Sequence, residues 1–142
     1  MMKFMLIAYA TKESEAGRPP DPRLIDAIHK LSDDMTKAGV LVGTGGLAPS
    51  FTGVQVRLSG GKVTVTDGPF TETKELVGGY AIVQVNSREE AIEMARRFFE
   101  LHAQILGPAY EGGGEVRQLF ESPNDYECPA TSAAPSRSGD GR

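Results

Sequence analysis

The stretch VTVTDGPFTETKELVGGYAIVQV, Val63 to Val85, decides how the rest of the chain is read. Both flanks alternate apolar and polar residues with the two-residue period of a β-strand. The centre, DGPFTETKE, is polar and turn-forming, yet it holds an aromatic of the kind that cores bury and a dense set of ionisable groups. Asp67, Phe70, Glu72, Thr73, Lys74 and Glu75 therefore share one short connection between two strands. That connection is either an elaborate turn or a site.

Upstream of it, Lys62 to Thr66 reads as the return strand of a hairpin. Gly60-Gly61 is the turn, and the outgoing strand, Thr52 to Leu58, sets Val54, Val56 and Leu58 on one face. Downstream, GGYAIVQV is a strand with Tyr80, Ile82 and Gln84 facing opposite to Ala81, Val83 and Val85. Ser87 then opens a helix. Ser87-Arg88-Glu89-Glu90 has the spacing of a capping box, and Ala91, Ile92, Ala95, Phe98, Phe99 and His102 mark the inner face.

Toward the N-terminus, KFMLIAYA (Lys3 to Ala10) is apolar enough for a central strand, and TKESEAGRPPDP breaks it. From Arg23, Leu24, Ile25, Ile28, Leu31 and Met35 recur at helical steps, with Asp21 as N-cap, Pro22 at the first helical position and Gly39 just past the end. VLVGTGGLAP follows as a short strand ending in a glycine-rich turn, and a last strand is expected over Glu115 to Glu121. Residues 1–121 make one domain, and 122–142, rich in Ser, Pro, Ala and Gly, read as a flexible tail.

The order β-α-β, hairpin, β-α-β predicts an α+β fold: a ferredoxin-like split βαβ protomer with an inserted β-hairpin and both helices on one face of a single sheet. The strands MLIAY and AIVQV are apolar on both sides, so the second face needs a cover. A second copy packing sheet to sheet supplies it, and a homodimer is expected.

Composition excludes several classes. A net charge of -4 over 142 residues offers no phosphate-neutralising excess, so no nucleic acid is expected as partner. No apolar run approaches the roughly 20 residues of a membrane span, and no membrane partner is expected. The opening MMKFMLIAYATKE suits a first buried strand better than a signal peptide. Cys128 is the sole cysteine, which rules out an intrachain disulfide and a cysteine zinc site. A cytoplasmic location is the expectation from these features. No motif has metal-ligand spacing, and neither a metal nor a cofactor is expected.

VTVTDGPFTETKELVGGYAIVQVNSREEAIEMARRF, together with KFMLIAYA and EGGGEVRQLFE, resembles the YCII-related family and, within it, the DGPF-domain branch, over roughly residues 1–121. The resemblance implies a dimeric α/β barrel of ferredoxin-like protomers. It also implies small-molecule enzymology, since some members place a His and an Asp in a shared cleft and a few relatives act on chlorinated aromatic degradation products. Other relatives recur beside extracytoplasmic-function sigma factor genes, which implies a regulatory role as the alternative. By position, the histidine of the first helix corresponds to His29 or to its neighbour Ile28. The stretch after the second helix, FFELHAQILGPAYEG, lacks the Asp-Pro-Tyr-like segment that carries the aspartate.

Asp67 is the best candidate for chemistry, as a carboxylate at a cleft edge, or else the acceptor in a rigid turn where Gly68 supplies a positive φ and Phe70 plugs the core. If a reaction runs here, Asp67 transfers the proton and His29 assists. Phe70, Thr73, Lys74, Glu75, Tyr80 and Arg117 are the expected ligand contacts. Lys74 could pair with Asp67 or with an acidic ligand, Thr73 could donate a hydroxyl, and Tyr9, Phe70 and Tyr80 could form a pocket wall. Alternation sends Thr73 and Glu75 to one face and Glu72 and Lys74 to the other. Arg117 either binds a carboxylate in two-pronged fashion or makes a salt bridge at a dimer edge. His102, four residues after Phe98, borders the apolar stripe, and Gly43 to Gly46 reads as a bent strand end rather than a phosphate loop. The expected function is a YCII-like small-molecule-binding protein, as an enzyme or as a binder, with its cleft near a homodimer interface. The alternative is a non-catalytic regulatory or protein-interaction module.

Overall fold

A computed structural model of the chain describes residues 1–70 and 75–122. Strand β1 (Met2–Tyr9) leads into a short helix α1 (Lys12–Glu15) and then helix α2 (Pro22–Lys37). Strand β2 (Leu41–Gly46), a 3-10 turn (Ser50–Thr52) and the hairpin β3 (Val54–Ser59) and β4 (Lys62–Asp67) follow. The chain closes with β5 (Val77–Val85), α3 (Arg88–Leu106) and β6 (Gly114–Gln118). The architecture is α+β. One four-stranded sheet runs in the order β2-β5-β1-β6 with antiparallel neighbours, and β3-β4 forms a separate two-stranded sheet.

Register assigns the faces. Phe4 lies opposite Val83 and Gln118, and Leu6 opposite Ala81 and Val116. The even-numbered residues of β1 therefore share a face with the odd-numbered residues of β5, as the alternation predicts. On that face Phe4, Val83 and Val85 pack against Met35 of α2 and Ala91 of α3, with Leu31, Val40, Met94 and Val116 around them. The opposite face holds Met5, Ile7 and Tyr9 of β1, Tyr80 and Ile82 of β5, and Glu115 and Arg117 of β6. The core helices lie on the first face, and the aliphatic side chains of the second stay half-buried.

The helix ends follow the sequence signals closely. The Asp21 carboxylate accepts from the Arg23 amide with Pro22 in the first turn, and Gly39 (φ 76°) follows the α2 C-cap. At α3, Ser87 Oγ accepts from the Glu90 amide, but Glu90 reaches back to the amide of Asn86 rather than to that of Ser87. A helix forms where TKESEAGRPPDP was expected to be irregular. Thr11 caps α1 with Ser14 as its reciprocal partner, and the prolines start only at Pro19, too late to prevent that turn. The hairpin strand begins at Val54, because Ser50–Thr52 is taken up by the 3-10 turn, and the last strand ends at Gln118. Positions 123–142 of the expected tail lie outside the described residues.

Val83 is fully enclosed at the centre of the core. Val83→Ala is expected to destabilise the fold by about 2 kcal/mol, the combined transfer and cavity cost of two buried methyl groups. A lowered urea midpoint with an unchanged slope is the expected reading.

Candidate functional site

The open face of the sheet carries a polar cluster at the end where β1 finishes and β5 begins. The Tyr9 hydroxyl donates to Glu115 Oε2 at 2.5 Å, and Arg117 Nη1 donates to Glu115 Oε1 at 3.1 Å. Pairing explains the meeting. Glu115 is opposite Ile7, and Tyr9, two residues on, leans diagonally across to it. Tyr80 is on the other side of Ile7, so one row across the sheet reads Gly45, Tyr80, Ile7, Glu115. The next row is Gly43, Ile82, Met5, Arg117.

Glycine at position 45 has a local reason: a Cβ there would stand 3.0 Å from the Tyr80 ring, which occupies the space a side chain would fill. The GTGG stretch thus makes room on a sheet face. β2 bulges between Leu41 and Gly43, and no helix starts at its end.

The electrostatics of the cluster are set by mutual hydrogen bonding. The bond to Glu115 chiefly, with its negative charge and that of Glu75 adding to it, raises Tyr9 from its ordinary value of 10.0 to about 12. Glu115 is lowered, first by the Tyr9 hydroxyl and then by Arg117. Near neutrality Tyr9 is therefore a fixed donor and Glu115 a fixed carboxylate, an arrangement suited to holding a ligand rather than passing protons.

A second feature lies at the root of the β3–β4 hairpin. Ser50 is buried, and its hydroxyl donates to Glu15 Oε1 at 2.6 Å while accepting from the Phe70 amide at 3.0 Å. The Ser50 amide donates to Glu15 Oε2. Helix α1, the 3-10 turn and the end of the DGPF segment are thereby tied together beside a pocket of about 330 Å³, whose lining includes Leu47, Pro49, Phe70, Leu76 and Val77. The expected positive φ at Gly68 is absent. Glycine is required there for close approach instead, since a Cβ would come within 1.9 Å of the Ser50 carbonyl oxygen.

The sequence candidates divide between these places. Glu75, Tyr80 and Arg117 belong to the open face or its edge, with Tyr9. Phe70 lies apart from the two tyrosines, at the hairpin root. Asp67 ends β4, exposed and paired with Val54 through the backbone, whereas His29 is exposed on α2. Among the described residues no hydrogen bond or ion pair joins Asp67 and His29. Thr73 and Lys74 lie outside the described residues. His102 is buried with Nδ1 2.9 Å from the Phe98 carbonyl and its ring against Phe98 and Tyr110, which makes it part of the α3 packing. Sequence reasoning passed over Glu115 and the Glu15–Ser50 pair. The alternation of EVRQ, which sets Glu115 on the face of Arg117, was the available signal for the first. Among the described residues no three metal-ligating side chains converge, and no helix is long and apolar enough to cross a membrane.

Comparison with known proteins adds two findings. The sequence model of the YCII-related domain matches residues 2–103. An uncharacterized protein of Rhizobium meliloti (strain 1021) is 33% identical over 80 residues, which cover 56% of this chain and 64% of that protein. The match thus spans less than two thirds of the relative's length. Glu115 and Arg117 fall beyond the end of the family match.

The Tyr9–Glu115 bond has a pH signature. Its contribution from the tyrosine side is complete below the ordinary phenol range and is lost as pH rises from about 10 towards 12. The contribution from Glu115 is present above the ordinary carboxylate range and is lost as pH falls through its lowered value. In an ultraviolet titration one tyrosine should ionise near pH 12, and Glu115→Ala should bring that midpoint down towards the ordinary value. An unchanged titration curve in the variant would show that the bond does not form.

Proposed function

The chain belongs to the YCII-related domain family, and from that premise we propose that it is a small-molecule-binding protein of the DGPF branch that works as a homodimer. The observation that carries the proposal is the open sheet face, where a polar cluster borders an aliphatic floor of Met5, Ile7 and Ile82. Two-fold packing of such faces covers the aliphatic part and leaves the polar end as a cleft. The strand order supports the finer fold reading as well. β5 runs antiparallel between β1 and β2, which is the split βαβ of a ferredoxin-like protomer, and two of these closing face to face make a dimeric α/β barrel.

The chemistry of the cleft favours a small organic acid with an apolar body. Arg117 engages Glu115 and its side chain is 72% exposed, so further guanidinium donors are in water and open to a carboxylate. Tyr9, held neutral, supplies a hydroxyl, while Tyr80 and Ile7 give the apolar body a surface. Asp67 at the end of β4 and His29 on α2 share no hydrogen bond or ion pair among the described residues, which favours ligand binding at the open face over proton transfer by this pair.

Amide-resolved NMR with a panel of aliphatic and aromatic carboxylic acids tests this reading. Shift changes are expected to cluster on Tyr9, Tyr80, Ile82 and Arg117, and Arg117→Ala should weaken binding at least tenfold. Shifts confined to the hairpin-root pocket would transfer the site there, and a panel without effect would sink the binding reading in favour of a protein-interaction module. Consumption of a panel member by wild type but not by Asp67→Asn would establish an enzyme.

A further inference from the structure

The polar end of the open sheet face holds more negative charge than positive. Glu115 takes the Tyr9 hydroxyl on one oxygen at 2.5 Å and Arg117 on the other at 3.1 Å. Glu75 reaches the same hydroxyl from the start of β5. Tyr9 pairs with Val77, and the Ala10 amide donates to the Leu76 carbonyl at 2.7 Å, so residue 75 is set down beside the end of β1. After the bond to Glu115, the charge of Glu75 and a lesser hydrogen-bonding contribution from it add to the rise of Tyr9. Among the described residues no ion pair reaches Glu75. Further along β1, Lys3 is taken up by Glu121 at 3.7 Å. Among the described residues, Lys3 and Arg117 thus stand against Glu75, Glu115 and Glu121, an excess of one carboxylate.

We propose that the ligand of this face is a free α-amino acid with an apolar side chain, its carboxylate on Arg117 and its ammonium on Glu115 and Glu75. The inference rests on the reading of the open face as a ligand site and narrows the acid to one that also bears an ammonium. Charge is the reason. A plain carboxylic acid at Arg117 touches the surroundings of Glu115 and meets repulsion, which an ammonium on the ligand turns into attraction. Spacing agrees. An α-amino acid carries both charges on one carbon, and the charged groups of Glu115 and Arg117 are likewise side by side. Their side chains are 37% and 72% exposed, and an ion pair in that much water holds its members weakly, so both are open to a second partner. Tyr9, fixed as a donor, keeps Glu115 an acceptor. Tyr80 and Ile7, in the row of Glu115, offer the side chain an apolar surface.

The test titrates the full chain at neutral pH with two matched series, read by amide-resolved NMR. One is leucine, isocaproate and isoamylamine; the other is phenylalanine, hydrocinnamate and phenethylamine. Within each series the second member lacks the amino group and the third lacks the carboxylate. In at least one series the amino acid should bind roughly tenfold or more tightly than either truncated form, with shifts on Tyr9, Glu115 and Arg117. Glu75→Gln, a nearly isosteric change at an exposed position, should bring the preference for amino acid over plain acid down towards one while the circular dichroism of the fold stays unchanged. A plain acid that binds as tightly as its amino acid overturns the inference and leaves the carboxylate site standing. An amine that matches the amino acid overturns it as well, because Arg117 then contributes nothing. A preference unaltered in Glu75→Gln overturns the assignment of the ammonium. If neither series shifts these residues, the amino-acid inference falls, and the wider panel of carboxylic acids decides whether the open face falls with it.

Discussion

Everything in this fold depends on the register of β1 between β5 and β6. A slip of one residue would turn Phe4 and Leu6 out to solvent and bring Lys3 and Met5 under the helices. It would also separate Tyr9 from Glu115, because their meeting requires Ile7 to stand opposite Glu115. The core and the candidate cleft are thus two consequences of one alignment. Phe4 and Val83, the most enclosed pair, hold it from the helix side.

The face assignments were legible in the sequence because a two-residue period leaves only two choices per strand. AIVQV alternates strongly enough to settle them, and the caps at Asp21 and Ser87 were legible because a capping bond spans only two or three residues. What the sequence hid was contact between distant segments. Nothing near Glu15 announces that its carboxylate takes both the amide and the hydroxyl of Ser50, and nothing near Ser50 announces the Phe70 amide. The DGPF motif drew attention as chemistry. Much of what it does in the fold is mechanical, since Gly68 fits against a carbonyl and Phe70 hangs its amide on a serine.

The candidate cleft was half legible. Arg117, Tyr80 and Glu75 could be picked out as polar or aromatic residues near strand ends, but their common neighbour Glu115 could not be ranked above other surface carboxylates. Its distinction comes from its two partners, and a partner across a sheet is invisible until strand order is known. Those partners also decide the kind of chemistry available. A tyrosine raised to about 12 and a carboxylate lowered by its bonds keep their protonation states through the neutral range, and they offer a ligand a constant pattern of donor and acceptor.

The central strand β1 is also made before either of its sheet neighbours, β5 and β6. Phe4 must wait for Val83 to be made before it has one neighbour, and for Gln118 before it has the other. Until then an apolar strand with two open edges is held in the unfolded chain, and the entropic cost of closing such long loops falls on the steps that complete the sheet. The β3–β4 hairpin is the opposite case, since its strands are joined by Gly60 and Gly61 and pair locally, the kind of contact that generally closes on a scale of about microseconds. The environment of β1 is thus completed only by strands that follow it by roughly 70 and more than 100 residues, whereas the hairpin is complete within its own short segment.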